Sequence, residues 1–173
     1  MSVVEGPFGG MVVLMASKPR RSAPSADEGA LDPTDRRLLT ELQADGRLSL
    51  AELGRRIGLS SPAVAERLRR LEADGVITGY RADVDPARLG LGLGVLIRIR
   101  PAPRQLAAVA DLARGTPEIV ECLRVTGDDC FVMTAHVRDV THLEEVIDAF
   151  AAYGQTTTSV MQSSPVPRRG VAL

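Results

Sequence analysis

The spacing of apolar residues changes period once along this chain, and that change calls for two differently built parts. Between Leu31 and Gly75 apolar side chains recur at three- and four-residue intervals, the pattern of helices that each bury one stripe. From Val95 the pattern alternates: Val95, Ile97 and Ile99 fall on one side of the chain and Leu96, Arg98 and Arg100 on the other, as in a strand with one buried face. The 173 residues suffice for one ordinary domain or two small ones, and 45% hydrophobic content supplies a core and excludes global disorder.

The helical part is punctuated by caps. Asp32-Pro33 supplies an N-cap followed by a proline at the first helical position, Leu38, Leu39 and Leu42 line one face, and Gly46 closes the helix. Ser49-Leu50-Ala51-Glu52 reads as a capping box opening a second helix with Leu50, Leu53 and Ile57 as its stripe, ended by Gly58. Ser61-Pro62 opens a third, in which Val64, Leu68 and Leu71 repeat before Gly75. A β-prone stretch, Val76 to Arg81, follows, then the Asp85-Pro86 turn and a glycine-spaced linker.

Beyond it come a strand at Val95–Arg100, a helix carrying Leu106, Val109, Ala110 and Ala113, and strands at Ile119–Thr126 and Cys130–Val137 around Gly127-Asp128-Asp129. A helix with Leu143, Val146, Ile147 and Phe150 and a last strand, Thr156–Ser163, complete the order β-α-β-β-α-β. That is the order of a ferredoxin-like sheet with both helices on one face. The fold class is therefore α+β, with residues 1–30 a disordered extension, 31–81 a winged helix-turn-helix, 82–92 a linker, 93–164 the ferredoxin-like domain and 165–173 a tail.

Two short helices joined by Gly58-Leu59-Ser60 match a helix-turn-helix. With Val64, Leu68 and Leu71 buried, Ser61, Ala63, Glu66, Arg67, Arg69 and Arg70 are expected to face outward, and small residues at the helix start let the backbone approach a groove. The net charge of −1 conceals a division. Residues 46–81 carry seven Arg against four acids, a net of +3, while residues 93–163 carry six Arg against nine acids, a net of −3. Aromatics at 3% exclude a base-stacking platform but not duplex reading by arginines. A three-helix cluster with solvated arginines is also a common packing unit, so spacing alone leaves both readings open.

The segment LDPTDRRLLTELQADGRLSLAELGRRIGLSSPAVAERLRRLEADGVITGYRADVDPARLG resembles the N-terminal half of Lrp/AsnC-type (feast/famine) transcriptional regulators, and ECLRVTGDDCFVMTAHV resembles their effector-responsive domain. The resemblance covers roughly residues 31–165, and two separate motifs carry it in the right order. It implies contact with double-stranded DNA through the helix-turn-helix, including Ser49, Ser60, Ser61, Pro62, Ala63, Glu66, Arg67, Arg69 and Arg70. It also implies a homodimer joined through its C-terminal sheets, able to assemble into an octamer. An amino acid or related metabolite is expected against the turn Gly127, Asp128, Asp129 and Cys130, with help from Gln155, Thr156, Thr157 and Thr158. Many members carry an acid where this chain has Cys130, with Asp129 one place earlier, so recognition of an ammonium group here falls to Asp128 or Asp129 or is replaced by other chemistry.

Other chemistries are poorly supported. Cys130 and His136 on one strand lie about 20 Å apart, too far for one metal, so Cys122, Cys130, His136 and His142 are not read as a metal site. A turn at 127–129 that pairs Thr126 with Cys130 leaves Cys122 out of disulfide reach, and both cysteines are expected to be small buried apolar residues. His136 reads as a sheet residue with a hydrogen-bond partner. There is no G-x-S-x-G and no Gly-rich phosphate loop, so neither an enzyme nor a cofactor is expected. The longest apolar run, Leu89–Ile97, is nine residues, short of the roughly 18–20 a membrane helix needs. The MVVLMA segment is too short for a signal peptide and its basic residues, Lys18–Arg21, follow it. The expectation is a cytoplasmic, nucleoid-associated regulator with no membrane partner. Two alternatives stay open: a ligand-independent architectural DNA-binding protein, and a metabolite-binding oligomer with a protein-interaction head.

Overall fold

Pro33 has no amide to leave unpaired in a first helical turn, and Asp32 before it accepts a hydrogen bond from the Asp35 amide at 2.7 Å, so α1 (Pro33–Ala44) begins there. The computed structural model describes residues 31–173; the extension expected over residues 1–30 lies outside the described residues. α2 (Leu50–Ile57) is capped by the Ser49 hydroxyl, which accepts from the Glu52 amide at 3.2 Å. The capping box is only half formed, because the Glu52 carboxylate turns away to Arg55 and Arg56 and their charged donors outcompete one amide. Gly58, in the left-handed region at φ 79°, ends α2, and α3 (Ser61–Ala73) follows with Ser60 at its N-cap.

Leu38, Leu39, Leu53, Ile57, Val64 and Leu71 form the core of this unit, with Leu42 and Leu68 at its margin. Leu50, expected in the stripe, is 40% exposed at the first position of its short helix. The strand expected over Val76–Arg81 does not form. The amides of Val76 and Ile77 both donate to the Leu71 carbonyl, at 2.9 and 3.0 Å, so they close α3 and are lost to strand pairing.

Among the described residues a second compact unit spans Thr78–Val171. The expected linker contains a 3₁₀ turn at Pro86–Leu89, started by Asp85 accepting from the Ala87 amide. Then come β1 (Leu93–Pro101), α4 (Leu106–Gly115), β2 (Ile119–Arg124), β3 (Phe131–Val137), α5 (Val140–Ala151) and β4 (Gly154–Val160). The strands lie in the order β2-β3-β1-β4 and every neighbouring pair is antiparallel, as in a ferredoxin-like sheet. Val95, Ile97, Ile99, Phe131, Met133, Ala135 and Val137 bury one face against Val109 and Ala113 of α4 and Leu143, Val146 and Phe150 of α5. The opposite face presents Leu96, Arg98, Val132, Thr134 and His136, all half-buried.

The strand boundaries differ from expectation, most clearly at the β2–β3 turn and at β4, which runs over Gly154–Val160 and not Thr156–Ser163. Val125, not Thr126, pairs with Cys130, its amide donating to the Cys130 carbonyl at 2.9 Å, so the turn holds four residues, Thr126 to Asp129. β4 starts at Gly154, where a Cβ would sit 2.2 Å from the Arg100 carbonyl oxygen; the close strand approach selects glycine. Cys122 is exposed on the edge strand β2 instead of buried, and Cys130 is half-buried at the core margin.

Candidate nucleic-acid and effector sites

α3 presents its N-terminal turn to solvent. The Ser60 hydroxyl makes no capping bond, Ser60 and Pro62 are exposed, and Ser61 and Ala63 are half-buried. Ser49 is exposed at the start of α2. Further along α3, Glu66 and Arg69 form an exposed ion pair with each other and Arg70 is half-exposed. On α2, Arg55 is 74% exposed although Glu52 holds it at 2.6 Å.

Arg67 does not face outward as its neighbours do. Its Nη1 donates to Asp32 Oδ2 at 2.5 Å and Asp35 Oδ1 at 2.7 Å, and its side chain is 27% exposed. Arg70 donates to Asp35 Oδ2 at 2.6 Å. The spacing of α3 alone misplaces Arg67 because the attracting carboxylates sit more than thirty residues earlier, at Asp32 and Asp35. Arg67 holds the Asp32 carboxyl below its usual range, chiefly by the hydrogen bond it donates.

Glu52 anchors a second charged group. Arg55 first and Arg56 next bring its carboxyl from 4.5 down to about 2, and Arg56 also reaches Glu41 of α1 at 2.8 Å. A carboxyl depressed in the folded state stabilises fully above its unfolded value and loses that contribution as pH falls through the folded one. Glu52 therefore contributes to an acid limb of stability between about pH 4.5 and 2. Glu52→Gln is expected to make that limb shallower in acid-melting curves followed by circular dichroism, with the Glu52 side-chain carboxyl of the wild type titrating at about 2 by NMR. A Glu52 midpoint near 4.5 would contradict the assignment.

At the other unit, Gly127 adopts φ 107° and turns the β2–β3 connection. Two arginines of β1, missed in the sequence, hold that turn. The Arg100 Nε donates to the Asp128 carbonyl at 3.0 Å and its Nη2 lies 3.3 Å from the Asp128 carboxylate, while Arg98 Nε lies 3.9 Å from Asp129 Oδ2. Arg98 Nε is buried and makes no hydrogen bond within the described residues. The polar side of β1 is visible as alternation with Ile97 and Ile99; the register that carries residues 128 and 129 to it is not.

The residues expected from β4 do not share one face. Gln155 stands opposite Arg100 and Thr157 opposite Arg98, on the open side, but Thr156 stands opposite Ile99 and Thr158 opposite Ile97, on the helix side. The two-residue pleat separates them, so Thr156 and Thr158 do not join Gly127, Asp128 and Asp129 around one pocket in a single chain. His142 is buried in α5, its Nε2 2.9 Å from Glu118 Oε1 and its Nδ1 accepting from the Arg138 amide. Among the described residues no group of three or more His, Cys, Asp or Glu side chains could hold a metal ion, and no helix is long and apolar enough to cross a membrane.

A family model for winged helix-turn-helix DNA-binding matches residues 31–78, and one for the Lrp/AsnC ligand binding domain matches residues 94–171. The chain is 40% identical to the HTH-type transcriptional regulator YezC of Bacillus subtilis over 134 residues, 78% of this chain and 95% of the relative. It is 33% identical to LrpC of the same organism, over 81% of this chain and 97% of LrpC. Among solved structures, B. subtilis LrpC superposes with a TM-score of 0.77 at 32% identity, over 80% of this chain and 99% of LrpC. A feast or famine regulatory protein from M. tuberculosis, complexed with L-methionine, superposes with a TM-score of 0.78 at 33% identity, over 83% of this chain and all of that one.

Proposed function

The chain belongs to the Lrp/AsnC family of transcriptional regulators, with a winged helix-turn-helix for DNA and a ligand-binding domain, and from that premise we propose how its residues divide the work. The α2–α3 pair enters the major groove of duplex DNA, with the start of α3 (Ser60, Ser61, Pro62, Ala63) against the backbone and bases. Arg69 and Arg70 reach phosphates or guanines, with Ser49 and Glu66 at the margin. The observation that carries this reading is the exposed opening turn of α3, with its serine hydroxyl committed to no cap and two exposed arginines further along the helix.

The second unit senses an amino acid or related metabolite at the Gly127–Cys130 turn, where Asp128 and Asp129 suit an ammonium group and Arg98 and Arg100 a carboxylate. The likeness to the L-methionine complex supports that ligand class. The open face of the sheet, bearing Leu96, Val132, Leu123 and Val125, suits a second copy, giving a homodimer able to assemble into an octamer. The protein acts as a regulator, not an enzyme, in the cytoplasm on the nucleoid. Ligand changes DNA binding only to the extent that it binds one assembly more tightly than another.

A duplex selected from a randomised pool, followed by anisotropy at several salt concentrations, tests the DNA reading. Arg69→Ala with Arg70→Ala is expected to reduce the slope of log K against log salt by about 0.9 for each phosphate that is no longer neutralised. Unchanged binding in the double variant overturns the assignment of α3. A melting screen against the twenty amino acids, L-methionine included, is expected to raise the melting temperature for at least one of them, an increase that disappears in Asp129→Ala. A flat response to all of them would favour a ligand-independent architectural protein.

A further inference from the structure

We infer that Asp35 is a positioning and specificity-determining residue for DNA recognition, one that withholds Arg67 from the duplex and aims Arg70 at it. This role rests on the DNA reading above and falls to a residue of α1 that is itself buried. The Asp35 side chain is 3% exposed, and each of its oxygens accepts from a different guanidinium of α3: Oδ1 from Arg67, Oδ2 from Arg70. Asp32 completes the group, taking Arg67 on one oxygen and the Asp35 amide on the other.

The two arginines leave this arrangement in different states. Arg67 has its Nη1 shared by two carboxylates and is mostly covered, so its charge is neutralised inside the unit. Arg70 is 52% exposed and is held by Asp35 through Nη2, which leaves its Nε and Nη1 to be offered from a fixed support. An arginine that floats freely serves any phosphate it meets and raises affinity for every sequence equally. One held rigidly can satisfy a base edge in one geometry and fails to do so on a wrong base. A buried carboxylate behind the recognition helix thus reduces indiscriminate attraction and sharpens the recognition that remains.

The full chain is compared with Asp35→Asn, Arg67→Gln and Arg70→Gln on the selected duplex and on an unselected duplex of the same length, over a range of salt, with folding checked by circular dichroism. Arg70→Gln is expected to reduce the preference for the selected duplex about tenfold, and Arg67→Gln to leave that preference unchanged. Asp35→Asn is expected to reduce the preference for the selected duplex about tenfold while binding to the unselected one is kept or strengthened. A role limited to holding the helices together would instead weaken both duplexes alike and leave the preference unchanged. That result, or equal losses of preference in Arg67→Gln and Arg70→Gln, overturns the inference; the arginine pair decides it even if Asp35→Asn does not fold. A wild type that selects no duplex overturns the DNA reading itself, and the role of Asp35 with it.

Discussion

Gly54→Ala is expected to abolish duplex binding while leaving the sheet unit folded. A Cβ on Gly54 would lie 2.4 Å from the Leu59 carbonyl oxygen and 3.4 Å from its carbon, and neither neighbour is free to move. The Gly54 carbonyl accepts from both Gly58 and Leu59 amides at 2.8 Å, so the turn is stitched to α2 at the very point where the methyl would intrude. Relief must come from shifting the turn, and with it α3, relative to α2. The cost is about 3 kcal/mol, at the upper end for an inserted methyl group. A unit of this size has only several kcal/mol of stability, so most of its margin disappears. Two-step melting should show the helical unit unfolding at lower temperature and the sheet unit unmoved. Gly58→Ala is the control: φ 79° strains an alanine, but among the described residues nothing beyond its chain neighbours lies within 4 Å, and the cost is about 1 kcal/mol. Wild-type affinity in Gly54→Ala would refute this account of the turn.

The second large effect concerns Phe150. It is fully buried in the layer between α5 and the sheet, among Leu143, Val146 and the inner residues of β1 and β3. Phe150→Ala should cost about 3–5 kcal/mol, the transfer of the ring plus the cavity left in a layer that cannot collapse freely. For a unit of this size that lowers the melting temperature by on the order of 20 °C. The drop should be confined to the sheet unit and should carry with it any ligand-dependent stabilisation. Val140→Ala on the same helix, where the side chain is 63% exposed, should change stability by less than about 0.5 kcal/mol. Equal effects at the two positions would show that the α5 packing is misassigned.

The elements are legible where local chemistry is sufficient. Asp32-Pro33, Ser49 and Gly58 start or stop helices through their own backbone and cap preferences, and the alternation at Val95, Ile97 and Ile99 announces a strand with one buried face. The failures share a cause. Val76 and Ile77 have β-prone side chains, yet a carbonyl of α3 claims their amides. Glu52 has the position of a capping-box partner, yet two arginines take its carboxylate. Each is a contest between a local preference and a stronger competitor whose geometry the local pattern does not report.

The same division runs through the candidate sites. Helix identity, strand identity, the glycine-acid turn and the opposite charges of the two parts follow from residue types and their spacing, because those depend on neighbours along the chain. Which arginine of α3 stays exposed depends on Asp35, thirty-two residues before Arg67, and which arginines brace the turn depends on the β1–β3 register. Thr156 and Gln155 are adjacent in the chain and on opposite faces of the sheet. Charges attract through space and strands pair across it, so the partners of Arg67, Arg70, Arg98 and Arg100 become definite only when the chain has folded.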